Sequence, residues 1–430
     1  MTPQSPFMVV APIRRGQIGA LREVLRGMTQ APGVADPDNA LIPFSRFERL
    51  HFARLVVLED ATLADRAAGG ASALPLPVVL AFLGDCDGPA EAQLAEFVTL
   101  AEPGLRTIFA HCEDYDDATD LTAWLQARAV APATFYANWV GRTVRQVHQE
   151  AALHQALRTR LALHARDEPP QAVRAALLDY VAGEQRSGRL PLSPSEPTPP
   201  DWQVRQVLDA ILVPLALLLL LPIFLLGALP FLVVLRQRER TDIEIFPRPT
   251  VAHESALAAI EDHDVTNQFS AFGSLKPGAF RLWLLRFLLW AVQYSTRHIY
   301  VRGRLSRVGT IHFARWVLLD DNQRLLFASN YDGSLDSYMD DFINKVGWGL
   351  NLVFSNGIGY PRTKFMVLGG AKNEQAFKYY LRRHQLPTGV WFKAYPGLTA
   401  LDLARNSRIR AGLQPAVMSD DAARRWIALI

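Results

Sequence analysis

The sequence predicts an α+β protein built from two tandem copies of one β-α-β-β-α-β unit, paired as a pseudo-dimer, with a hydrophobic membrane segment between them. Three observations predict it. The chain repeats itself: His51-Phe52-Ala53-Arg54 returns as His312-Phe313-Ala314-Arg315, and the flanks agree, HFARLVVLED against HFARWVLLDD. A second string returns with every spacing kept, Asp87-Gly88, Phe97, Gly104-Leu105, Phe109 and Tyr115 against Asp332-Gly333, Phe342, Gly349-Leu350, Phe354 and Tyr360. Tyr136, Gly141 and Thr143 likewise stand against Phe392, Gly397 and Thr399. Such self-similarity marks a repeated structural unit. Finally, Ala210 to Leu235 carries no charged residue.

The first copy opens with an apolar strand, Phe7 to Ala11, then a helix over Gln17 to Met28 with Ile18, Leu21 and Leu25 at helical spacing. Strands at Leu50–Leu58 and Leu76–Leu83, a helix at Ala90–Leu100 and a strand at Arg106–Ala110 complete the split βαβ, or ferredoxin-like, order. An extra helix (Leu121–Ala129) and strand (Thr134–Trp139) follow. The second copy runs Asn267–Phe272, Gly278–Tyr300, Thr310–Leu319, Arg324–Ala328, Leu335–Leu350 and Lys364–Leu368 in the same order of types. Glu374–His384, Val390–Ala394 and Thr399–Ala411 come after it. Four segments result: a first repeat at 1–143, a helical region with a proline-rich linker at 144–200, a membrane segment at 207–237 and a second repeat at 261–413. The linker holds Pro191, Pro194, Pro197, Pro199 and Pro200, which favour an extended, semi-rigid spacer.

The apolar run exceeds the ~20 residues a spanning helix needs. Arg236, Arg238 and Arg240 follow it at once, so its C-terminal side is expected in the cytoplasm. A single span from Leu212 onward would put the two copies on opposite sides of the bilayer. Pro214, Pro222, Gly227 and Pro230 offer a hairpin instead, because proline removes a backbone donor. The hairpin is preferred, since no other segment brings the chain back. The helix RLWLLRFLLWAVQY, apolar nearly all round, either lies at the membrane surface or packs on the first copy.

A net charge of +3, with arginines scattered rather than striped, gives no footprint for nucleic acid. The two cysteines, Cys86 and Cys112, form no CxxC and read as free thiols of a reducing compartment; no metal set is apparent. The N-terminus lacks the basic and apolar regions of a secretory signal.

The copies differ most at one turn, FLGDCDGPAEAQLAEF against FASNYDGSLDSYMDDF. Asp332-Gly333 is turn chemistry, Ser334 reads as a helix N-cap and Asp336 suits the first helical turn. Asn330, Tyr338 and Asp340-Asp341 are left over. Strand alternation sends His312 and Arg315 to opposite faces unless the strand bulges. A buried Arg315 needs a carboxylate. The loop Ser355–Thr363 carries Gly357, Gly359 and Arg362, which suit close approach of an anion, although no phosphate-loop pattern is present.

The string TIHFARWVLLDD…RLLFASNYDGSLDSYMDDFI resembles a family of bacterial membrane-associated proteins over about Glu261–Leu413. That likeness implies an inner-membrane address with the globular parts in the cytoplasm, and no reaction. More distantly, tandem ferredoxin-like halves resemble the dimeric α+β barrel superfamily, which includes dye-decolorising peroxidases and chlorite dismutases. That likeness implies haem. Asp332 would stand for the distal Asp of a GxxDG motif whose first glycine is Ser329 here, and His298, His312 and His384 are the available histidines.

Two functions are therefore expected. One is a membrane-anchored binding or scaffold protein, taking a small ligand or protein partner through the second repeat at Asn330, Asp332, Tyr338, Asp340, Arg315 and Arg362. The alternative is a haem-dependent oxidoreductase. The sequence assigns no catalytic residue.

Overall fold

A computed structural model describes residues 1–72, 76–116, 118–165, 167–301, 303, 305, 308–415 and 417–430. The strands are β1 (Gln4–Pro12), β2 (Thr29–Ala31), β3 (Gly33–Ala35), β4 (Leu50–Leu58), β5 (Val79–Asp87), β6 (Thr134–Ala137), β7 (Thr266–Ser274), β8 (Ile311–Leu319), β9 (Arg324–Asp332), β10 (Thr363–Lys364), β11 (Leu368–Gly369) and β12 (Val390–Lys393). The helices are α1 (Ile18–Arg26), α2 (Asp65–Ala68), α3 (Ala90–Phe109), α4 (Leu121–Ala127), α5 (Val144–Leu161), α6 (Pro170–Arg186), α7 (Pro200–Thr241), α8 (Val251–Ala258), α9 (Ala279–His298), α10 (Leu335–Phe354), α11 (Glu374–His384), α12 (Ala400–Ala411) and α13 (Asp420–Ile427). The protein is thus a mixed α+β molecule with several sheets and one long apolar helix.

One sheet has the order β1-β5-β4-β12-β3-β2 and the other β6-β8-β9-β7. The sheets exchange strands. β12, late in the chain, pairs antiparallel with β4, setting Phe392 opposite Ala53 and Lys393 opposite Phe52. β6, early in the chain, pairs antiparallel with β8, setting Tyr136 opposite Ala314 and Ala137 opposite Phe313. Each HFAR strand is therefore completed by a strand from the other half of the chain, in the same register. Residues 128–130 run along the free edge of β1, where Val130 N–H donates to Met8 at 2.8 Å. Leu386 N–H donates to Ser270 on β7 at 2.8 Å in the same way.

The layers follow from strand alternation. Outward residues of the first sheet, such as Phe7, Leu55 and Phe82, bury against Leu21, Leu94 and Phe97 of α1 and α3. Outward residues of the second sheet bury against α9, α10 and α11. The inward faces meet through Met8, Val56, Leu83, Phe272, Val317 and Leu326. The result is a helix–sheet–sheet–helix sandwich, with one core on each side of the paired sheets. A separate helical layer joins α5 and α6 to α12 and α13.

Three sequence readings are corrected. Arg106–Ala110 is helix, not strand, because α3 continues through a kink at Ala101 (φ −138°) and past Pro103. Pro103 bends the helix without ending it. The equivalent α10 is kinked at Val346 with the same φ of −138°. Lys364–Leu368 is not a strand: Phe365 and Met366 both adopt positive φ, and the chain turns between the two-residue strands β10 and β11. The hairpin is replaced by one unbroken helix, because Leu212, Pro214, Pro222, Gly227 and Pro230 all lie inside α7. Each proline forfeits its own N–H bond and the helix runs on through the rest.

α7 is the one helix among the described residues that is long and apolar enough to cross a membrane. Both its ends are nevertheless fastened to the body. At the start, the Met1 ammonium donates to Thr198 Oγ1 at 2.9 Å. At the end, Glu239, only 1% exposed, accepts from Thr363 Oγ1 and from Phe365 and Met366 N–H at 2.7–2.9 Å. Between these anchors α7 runs antiparallel to α9, with Phe231 beside Phe280 at 5.6 Å. α9 is stitched in turn to β6 through Thr134–Leu289 and Phe135–Gln293 bonds of 2.7 and 2.6 Å.

Candidate functional site

The two HFAR arginines meet at the centre of the sandwich. Arg315 reaches out of β8 into the opposite sheet, donating to Phe7 and Gly84 carbonyls at 2.7 Å and to the Asp85 carboxylate. Arg54 reaches the other way, to Phe269 and Ser329 carbonyls and Ser270 Oγ at 2.9 Å and to Asn330 Oδ1. Trp391 Nε1 donates to the same Asn330 oxygen at 3.1 Å. Two cations thus share one carboxylate. Burial, then the neighbouring Arg315, holds Arg54 down to about 9, which leaves it protonated at neutral pH. Burial raises Asp85 against the pull of Arg315 and Arg54. The void between these groups is about 10 Å³, room for no more than one water.

A bulge at the histidine turns it toward this interface. β8 shifts register against β9 between Ile311 and Phe313, and β4 shifts against β5 between Leu50 and Phe52. His312 and Phe313 thereby both face the first sheet, His312 beside Phe52 at 5.5 Å and Phe313 beside His51 at 5.3 Å. His312 Nε2 lies 2.7 Å from Asp332 Oδ1, which also accepts from Thr266 Oγ1, while Asp332 Oδ2 caps α12 through Ala400 N–H at 2.7 Å. His51, Asp87 and Val144 N–H repeat that arrangement at the start of α5. Burial pushes Asp332 up, yet His312, Ala400 and Thr266 outweigh it and hold the carboxyl below its usual value.

The other residues singled out in the sequence lie apart. Tyr338 is buried, stacked on Tyr331 at 3.9 Å, with its hydroxyl 2.7 Å from Ser329 Oγ. Asp340 is on the surface with Lys378 at 2.8 Å, and Arg362 is on the surface with its Nε on the Asp242 carbonyl at 2.8 Å. Ser334 is the N-cap of α10, as its pattern indicated.

Haem needs an axial nitrogen facing a cavity of its own size. His312 Nε2 is engaged by Asp332. His384 donates from Nδ1 to Tyr380, and its ring packs so closely on Gly273 that a Cβ there would lie 2.3 Å from Cδ2. The gap beside it measures about 30 Å³. His298 packs on Tyr294 at 4.6 Å. These residues do not fit haem.

Larger clefts lie at the surface. One of about 810 Å³ runs beside α1, but its Arg22 is paired with Glu59 and its His253 with the Arg382 carbonyl. One of about 310 Å³ lies by α10 and α11, where Lys378 is held by Asp340 and Glu374, and Arg382 by Glu261. A third, of about 530 Å³, opens where the start of α7 crosses the end of α9. Its walls include Phe135, Trp139 and Trp202, and its polar groups include Arg205, Asp209 and Arg297. Arg205 and Arg297 are exposed, and neither has an ion-pair partner among the described residues. This cleft sits where α7 changes from charged to wholly apolar sequence, and it is the candidate site.

In the sequence Arg205 and Asp209 are only charges that precede the apolar run. Arg297, Trp139 and Trp202 carried no signal, because only the antiparallel seat of α7 on α9 brings them together. No protein-family model, no curated protein and no solved structure matches the chain.

Proposed function

We propose that the chain is a duplicated ferredoxin-like protein of the membrane surface, held there by α7 and α9, which binds a small amphiphilic ligand in the cleft where those helices meet the body. Duplication is supported by the shared orders β1-β5-β4-β12 and β7-β9-β8-β6, the paired bulges, the paired helix kinks and the paired His–Asp caps. Residues 128–130 and Gln385–Leu386 stand in for the last strand of each split βαβ unit before the chain crosses to the other sheet.

One observation carries the membrane reading. No residue of the apolar middle of α7 is buried, while Thr198 just before the helix and Glu239 near its end are bonded to one body. At 1.5 Å per residue the helix is about 63 Å long. Were it to cross a bilayer, the body alongside it would have to enter the hydrocarbon too, and α9 there carries Arg281, Arg286 and Arg297. An orientation with α7 sunk in one leaflet beneath the body avoids that cost, and it suits a helix that is apolar all round. It also gives a use to the exposed Trp283, Phe287 and Trp290, which recur on one face of α9. The protein is then a binding protein, with the buried arginine centre serving the fold.

The test is the side on which each end of α7 emerges. Ser195→Cys and Thr241→Cys introduce exposed thiols, whereas Cys86 and Cys112 are buried. An impermeant maleimide is expected to label both variants from the same side of sealed vesicles. Labelling from opposite sides, or a protein found wholly in the aqueous fraction, would overturn the reading.

A further inference from the structure

We infer that the cleft under the start of α7 binds an anionic phospholipid, with its phosphate between Arg205 and Arg297 and its acyl chain along α7 and α9. This rests on the membrane-surface reading and names the ligand class of that site.

The charges select an anion. Arg205 comes from α7 and Arg297 from α9, far apart in sequence, and the one carboxylate among the described lining residues is Asp209. Two unpaired guanidinium groups facing one carboxylate leave a net positive cleft, and guanidinium suits phosphate because its donors form a flat fork. Gln206 and Gln293 add neutral amides; the oxygen of Gln293 is already taken by Phe135 N–H, which leaves its NH₂ group as a donor.

Position selects a lipid. Ala210, the first residue of the uncharged run, directly follows Asp209, so the arginines adjoin the apolar surface of α7 that meets lipid in this reading. Trp139 and Trp202 line the same cleft, and tryptophan favours a membrane boundary. Beyond the cleft, Trp290 and Tyr294 continue an aromatic face along α9, with their rings 6.4 Å apart. A soluble phosphate would use the two arginines and none of this wall. A phospholipid uses both.

The experiment is native mass spectrometry of the full-length protein in nonionic detergent, with added phosphatidylglycerol or phosphatidylcholine of equal chain length. The wild type is expected to retain phosphatidylglycerol in preference. Arg205→Gln with Arg297→Gln should weaken that retention roughly five-fold for each arginine removed. Arg424→Gln with Arg425→Gln on α13 removes the same charge elsewhere and should leave retention unchanged. Equal retention of the two lipids by the wild type would overturn the inference. So would undiminished retention by the cleft variant, equal loss in the α13 variant, or displacement of the lipid by an equal concentration of glycerol phosphate. A wild type that floats with vesicles yet holds no phosphatidylglycerol sinks this inference alone. One that floats with no vesicle sinks the membrane reading beneath it.

Discussion

Arg315 on β8 is bonded to Asp85 on β5 across the boundary between the two sheets, and each residue is only 2% exposed. In the corresponding place Arg54 finds Asn330, a neutral amide. Asp85 is therefore the carboxylate on which two buried guanidinium groups depend. Asp85→Asn should cost about 3–5 kcal/mol of folding stability, the usual consequence of stranding buried charge. Asn330→Asp gives Arg54 a carboxylate but takes the Asn330 amide donor from Asp85 at 3.4 Å and sets two buried carboxylates side by side, so it should also destabilise, by less than Asp85→Asn. Denaturant titrations of the two variants, followed by tryptophan fluorescence, measure both losses; a loss below about 1 kcal/mol for Asp85→Asn would contradict the dependence.

Gly104 and Gly349 recur at equal spacing in the repeated strings, but they meet different surroundings. A Cβ on Gly104 would lie 1.9 Å from the Leu41 carbonyl oxygen, whereas one on Gly349 would lie 3.7 Å from its nearest neighbour, in Val346. Gly104→Ala should prevent normal packing of α3. Gly349→Ala should stabilise α10 by up to about 1 kcal/mol, because alanine is the better helix former. Thermal unfolding of the two variants should shift in opposite directions.

Asp332 fixes part of the response to acid. Its folded carboxyl lies below its usual value, so its contribution is present above the unfolded value of about 3.9 and is lost as pH falls through the folded one. Stability should therefore drop with a steep slope below about pH 4. Asp332→Asn should lower stability at neutral pH and flatten that slope. An unchanged slope in the variant would assign acid sensitivity to other groups.

Glu239 ties the end of α7 to the turn at Phe365 and Met366, both held at positive φ. Glu239→Ala leaves two backbone donors without their acceptor and should cost about 1–3 kcal/mol locally. Hydrogen exchange at the amides of Phe365 and Met366 should accelerate while amides in β5 keep their protection. Unaltered exchange at the turn would show that it holds itself.

The strands that pair locally were legible in the sequence. Leu50–Leu58 matches β4 residue for residue, and Thr310–Leu319 differs from β8 by one residue, since a long apolar run carries its own signal. β6 and β12 were legible as strands but not by partner, because four residues encode no register with a strand elsewhere in the chain. Arg106–Ala110 misled because five residues with only Ile108, Phe109 and Ala110 apolar fit either period. The need of Arg315 for a carboxylate was readable, but its identity as Asp85 was not, since the contact exists only once the two sheets face each other. The 530 Å³ cleft was illegible for the same reason.

The exchange of β6 and β12 also orders events during synthesis. The outer edge of β4 cannot be closed until Val390–Lys393 has left the ribosome, long after β4 itself. α7 is translated well before that moment. The long apolar helix, proposed to meet lipid, is therefore complete while the N-terminal sheet is still unfinished, and the last strand must be fitted with that helix already in place.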